Sequence, residues 1–174
     1  MSFRKNASQN RTTLISVPPH LAEYAKNSFA SGRGDGSVVF PSHSTLHHAL
    51  VDGMRRPLPG EPAATGNLLV VLPWSRLADE GPVKNPFYYC RVSHEAACRI
   101  AIALRHRFNY EFLTLMMDNE LHGRPETHLR LIRRFLRSHG IRSLSEDALV
   151  KKFRRYRMLV CPRRVRKYTK KRRN

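Results

Sequence analysis

The chain has 174 residues, 41% of them apolar, with 32 Lys and Arg against 13 Asp and Glu and a formal net charge of +19. That length holds one domain, or one compact domain with an extension. No apolar run approaches the ~20 residues that span a bilayer, and three cysteines without a short-spaced pair speak against both a membrane span and a disulfide framework.

In chain order, the polar, aperiodic start predicts a flexible arm over residues 1–16. Pro18-Pro19 introduces a helix from His20 to Ala30, with Leu21, Tyr24, Ala25 and Phe29 near helical spacing. A short strand is expected at Ser37–Phe40. Ser42 or Ser44 then caps a helix running to about Met54, with Leu46, Leu50 and Val51 inward. Residues 55–67 hold three prolines and two glycines and read as a surface connection.

Leu68–Leu72 is a run of branched apolar residues, the pattern of a strand buried on both faces. Phe87–Val92 reads as a second strand, and the two are expected to pair. From Ser93 to about Leu121 the pattern is one long helix, with Ala97, Ile100, Leu104, Phe108, Phe112 and Leu115 as its inner stripe. Residues 17–123 should thus form an α+β body in which a few short strands lie under a long helix.

The charge is uneven. Residues 124–174 hold nineteen Lys or Arg against Glu126, Glu146 and Asp147, a net of +16. Within 124–160, Glu126–His139 reads as a helix with Leu129, Ile132, Phe135 and Leu136 on its inner side. Gly140 stands where a left-handed helix ending belongs, followed by Ile141 to touch Leu136. Ser143 through Glu146 has the form of a capping box. It opens a last helix to about Met158, with Leu144, Ala148, Leu149, Phe153 and Tyr156 facing inward. Residues 161–174 form a basic tail.

Two helices joined at a glycine turn are the skeleton of a helix-turn-helix, whose second helix enters the major groove. The fit is imperfect, because His139 and Glu146 stand where the compact form has apolar residues, so a longer turn is expected. The alternative is a basic hairpin that grips phosphates without reading bases. The residues expected to touch nucleic acid are Arg130, Arg133, Arg134, Arg137 and Arg142 on the first helix and turn, and Lys151, Lys152, Arg154, Arg155 and Arg157 on the second. In the tail they are Arg163, Arg164, Arg166, Lys167, Tyr168, Lys170, Lys171, Arg172 and Arg173.

The composition therefore points to a non-enzymatic nucleic-acid-binding protein, with DNA favoured over RNA. The rivals are an RNA-binding or accessory subunit that docks a protein, or a second copy, through residues 17–123, and a metal-dependent nuclease using Asp118, Glu120 and His122. His43, His47 and His48 lie close together but lack further ligands at metal-binding offsets, so they read as polar helix surface. Cys90 and Cys98 read as small core residues. No catalytic residue, metal or cofactor and no membrane contact is expected. The expected compartment is the cytoplasm or nucleoid, or the nucleus in a eukaryotic host.

Overall fold

The computed structural model describes residues 11–76 and 83–161. Within the described residues, five helices and three pairs of short antiparallel strands make an α+β fold. Among the described residues no helix is long and apolar enough to cross a membrane.

The first strand, β1 (Thr12–Ile15), lies within the range expected to be a flexible arm. Thr13 and Ile15 are buried while Thr12 is exposed, the alternation of a half-buried strand. β1 pairs antiparallel with β3 (Leu68–Val71), Thr12 opposite Val71 and Ile15 opposite Leu68. The other flank of β3 takes Val38, whose N–H donates to Leu69 O and whose carbonyl accepts from Val71 N, both at 2.9 Å. The strand expected at 37–40 shrinks to that one residue because Val39 N turns aside to Phe29 O and Pro41 has no N–H to give. Asn67 then clamps the exit of β1, accepting from Val17 N at 3.0 Å and donating to Val17 O at 2.7 Å.

The expected pairing of 87–92 with 68–72 does not form. Asn85 Oδ1 accepts from Phe87 N, and Asn85 O accepts from Tyr88 N and Tyr89 N, so the aromatic run is wound into a turn. Only β6 (Arg91–Val92) remains extended, against β2 (Met54–Arg55). A third pair joins β4 (Ser75–Arg76) to β5 (Val83–Lys84).

The helices follow the local signals closely. α1 (Pro19–Ser28) starts with proline in its first turn. α2 (Thr45–Gly53) is capped by Ser44 Oγ, which accepts from His47 N. α3 (His94–Leu121) is capped by Ser93 Oγ, which accepts from Ala96 N. Its buried line is Ala96, Ile100, Leu104, Phe108, Phe112 and Met116, rather than a line ending in Ala97 and Leu115. A strict four-residue step advances about 40° per step around a helix of 3.6 residues per turn. The buried line therefore spirals, and α3 meets α2, α1 and α4 on successive sides.

Phe108 is the centre of the aromatic core. Tyr24 lies edge-on at 5.5 Å, Phe135 at 5.5 Å, and Phe112 is stacked at 6.5 Å between centroids. Phe135 belongs to α4 (His128–Ser138), so the basic segment is packed into the same cluster of buried residues as the strands and α1.

α4 ends as its glycine predicts. Gly140 has φ +60°, Ile141 N donates to Leu136 O at 2.8 Å, and Gly140 N donates to Arg137 O at 3.1 Å, the two bonds of a Schellman ending. The capping box is displaced. Ser145, not Ser143, caps α5 (Glu146–Val160) by accepting from Ala148 N. Ser143 is already committed: its N–H and hydroxyl both donate to Glu23 of α1.

Candidate nucleic-acid interface

α4 has two opposed faces. Leu131, Ile132, Phe135 and Leu136 are buried, and Arg130, Arg133, Arg134 and Arg137 are all exposed. The arginines fall at i, i+3, i+4 and i+7, so they share one ridge about 10 Å long. Leu129, expected inside, is on the exposed side, and Leu131 takes its inward place.

Two acids border this ridge. Glu126 pairs with Arg130 at 3.6 Å and, more closely, with Arg134. Glu146, at the start of α5, accepts from Arg133 Nε with both carboxylate oxygens at 3.0 Å. Arg137 makes no ion pair with an acid among the described residues. Arg142 is exposed in the connection, its backbone N–H donating to Glu23 at 2.9 Å.

The aim of the ridge is set by Asn119, a buried polar residue near the end of α3. Its Nδ2 donates to Glu126 O and its Oδ1 accepts from Glu126 N, closing the joint between α3 and α4. Arg124 within this joint adopts a left-handed φ of +60°.

α5 divides its charges between two environments. Leu149 and Phe153 face the core, and Phe153 lies edge-on to His128 at 5.1 Å. Ala148, expected inside, is exposed, and Tyr156 is half-buried. Lys152 is turned toward the body: its ammonium donates to Asn109 Oδ1 and sits 5.4 Å from the Phe108 centroid. Burial lowers its pKa, and the charge of Arg105 lowers it further. Arg157 is drawn to Glu120 at 3.6 Å. Of the expected recognition face, Lys151, Arg154 and Arg155 remain outward, and Lys151 pairs with Asp147 at 2.7 Å.

The spacing of 149 and 153 signals which side of α5 faces inward. Reading every basic side chain as solvent-facing overlooks that the lysine stem packs on apolar surface. A further basic cluster is assembled from three elements: His20 of α1, Arg105 of α3 and Lys152. The His20 pKa is lowered by burial first, then by the charges of Lys152 and Arg105. Separation along the chain hides such a group from motif reading.

The residues of the nuclease alternative are otherwise engaged. Glu120 binds Arg124 and His128 at 2.7 Å each; its Oε1 and His128 Nε2, both shut from solvent, are each other's partner. Burial pushes the Glu120 pKa up, but the Arg124 hydrogen bond and the charges of Arg157, Arg124 and His128 outweigh it and hold the pKa below the ordinary value. Asp118 is matched to His122 at 3.3 Å. Among the described residues no group of three or more His, Cys, Asp or Glu could hold a metal ion. Cys98 is exposed, with Sγ 3.6 Å from His94 Nε2, and so is not the core residue expected, while Cys90 is half-buried and packs against the edge of the core. The tail candidates from Arg163 to Arg173 lie outside the described residues.

No family model, curated protein or solved structure matches the chain.

Proposed function

We propose that this chain is a nucleic-acid-binding protein that grips the phosphates of duplex DNA with the arginine ridge of α4, supported by Lys151, Arg154 and Arg155. The observation that carries this reading is the division of α4 into an apolar face and a face with four exposed arginines. Guanidinium groups match phosphate oxygens in a bidentate fork, and a row of them neutralises successive backbone charges.

Phosphate grip is favoured over base reading. The connection between α4 and α5, residues 139–145, is longer than the three or four residues of a compact helix-turn-helix. With Lys152 and Arg157 turned inward, α5 offers few cations to a groove. A duplex is favoured because α4 and α5 carry no exposed aromatic ring on which unpaired bases would stack. The wide major groove of B-form DNA admits a helix, and the narrow one of A-form RNA does not. The basic residues of 163–173 would add sequence-independent affinity. Such a task suits the cytoplasm or nucleoid, or the nucleus in a eukaryotic host.

The test is affinity for a short DNA duplex across a salt series, with duplex RNA as competitor. Four phosphate contacts from the ridge contribute about −3.6 to the slope of log affinity against log salt. Replacing all four ridge arginines by Gln should remove most of that contribution. An unchanged slope in this variant overturns the reading.

A further inference from the structure

We propose that Trp74 and the cleft beside it take up an unpaired nucleobase, giving the chain a single-strand contact separate from the α4 ridge. Trp74 is the only tryptophan, and it is 56% exposed. A large ring left in water is held in place by an edge contact with Phe87, the centroids 6.1 Å apart. Tyr88, next in the turn, is also exposed.

Beside the indole lies a cleft of about 210 Å³, walled by Val39, Phe40, Leu72 and Trp74, with Ser42 and His47 as its polar groups. Drug-sized ligands occupy about 300–1,000 Å³, so this smaller space suits a single planar ring system. Burial lowers the His47 pKa, as do the charges of His48 and His43, while a hydrogen bond to the Phe40 carbonyl opposes them. A neutral His47 that donates to that carbonyl keeps its second ring nitrogen as an acceptor. The Ser42 hydroxyl can act in either sense. Apolar walls with a few polar groups are what a base requires, its faces stacking and its edge hydrogen-bonding.

Charge selects a nucleic acid over an uncharged ring compound. The Arg11 guanidinium lies 5.0 Å from the Phe87 centroid, and Arg11 O accepts from Leu72 N at 2.8 Å, which anchors the cation beside the cleft. Arg56 lies 5.3 Å from the Tyr89 ring in the same turn. Arginines held on the half-buried rings of Phe87 and Tyr89, beside the exposed rings of Trp74 and Tyr88, offer stacking surface for bases together with cations for their phosphates. A base already paired in a duplex cannot enter, so this site and the ridge recognise different forms.

The lone tryptophan makes the proposal directly readable. The full chain is titrated with a single-stranded oligonucleotide and with the blunt duplex of the same sequence, following indole emission. The single strand should quench emission saturably, and the duplex should leave it unchanged. Trp74→Ala should weaken single-strand binding, measured by anisotropy of a labelled strand, by about ten- to a hundredfold. Trp74→Phe, which keeps a ring, should recover most of the loss and exclude misfolding as its cause. A variant with the four ridge arginines replaced by Gln should still be quenched by the single strand, so failure of the ridge and failure of the cleft are separable. Emission indifferent to the single strand, equal quenching by the duplex, or wild-type binding by Trp74→Ala would each overturn it.

Discussion

The Glu23 carboxylate accepts from the backbone N–H of Ser143 at 3.0 Å, although 120 residues separate the two. The same oxygen takes the Arg142 N–H and the Ser143 hydroxyl, so one side chain of α1 receives three donors from the connection between α4 and α5. Burial raises the Glu23 pKa, but these hydrogen bonds outweigh it and leave the pKa below the ordinary value. A carboxyl depressed in the folded state stabilises above its unfolded pKa, and that contribution is lost as pH falls through the folded one. Glu23→Ala should cost about 1–2 kcal/mol at neutral pH. It should also flatten part of the loss of stability below about pH 4.5, measured by urea unfolding at several pH values.

Asn119→Leu keeps the branched outline of the side chain but removes both bonds to Glu126. It orphans one backbone donor and one acceptor in the α3–α4 joint, each costing about 1–3 kcal/mol if it stays buried. The expected outcome is destabilisation by about 2–4 kcal/mol in denaturant unfolding. Wild-type stability would mean that water reaches both groups.

Glu126 competes with phosphate for Arg130 and Arg134. Exposed ion pairs are worth about 0.2–1 kcal/mol each. Glu126→Gln should therefore tighten DNA binding about two- to fivefold at low salt, while Glu95→Gln, at the opposite end of α3, should not. Unchanged affinity for Glu126→Gln would show that the two arginines do not meet the nucleic acid.

Acid should weaken the fold before the carboxylates titrate. His20 is packed on Phe108 with Lys152 and Arg105 near it and the charge of Glu23 opposing them. Its folded pKa is lowered, so the unfolded chain binds more protons in the interval below about 6.5, and stability falls as pH drops through it. His47 acts in the same direction. The urea midpoint should be lower at pH 5.5 than at pH 8. His20→Gln should reduce that difference, and an unaltered pH profile would remove His20 as a source.

The sequence revealed the features whose causes are local. Ser44, Ser93 and Gly140 mark helix ends through bonds that span three to five residues, and each of those bonds forms. The α4 ridge was equally legible, because i, i+3, i+4, i+7 spacing alone decides which side an arginine takes.

What the sequence concealed depends on distant partners. Thr12–Ile15 alternates over four residues only, and nothing in it names Leu68–Val71 as its mate. Phe87–Tyr89 has strand-forming residues, yet one Asn85 side chain and its carbonyl bend it. Ser143 and Ser145 are equivalent caps until Glu23 claims the first. Lys152 looks like a surface cation until Asn109 and Phe108 receive it. The Trp74 cleft draws on residues 39–74, with Phe87 behind the indole, and no linear motif contains it.

The Asn119 clasp has one more consequence. The direction in which the arginine ridge leaves the body is fixed by an uncharged side chain and two backbone groups, none of which takes part in the charge of α4. Substitutions on the ridge can therefore retune the electrostatic grip over a wide range without tilting the helix that carries it. The ridge can be recharged without being re-aimed.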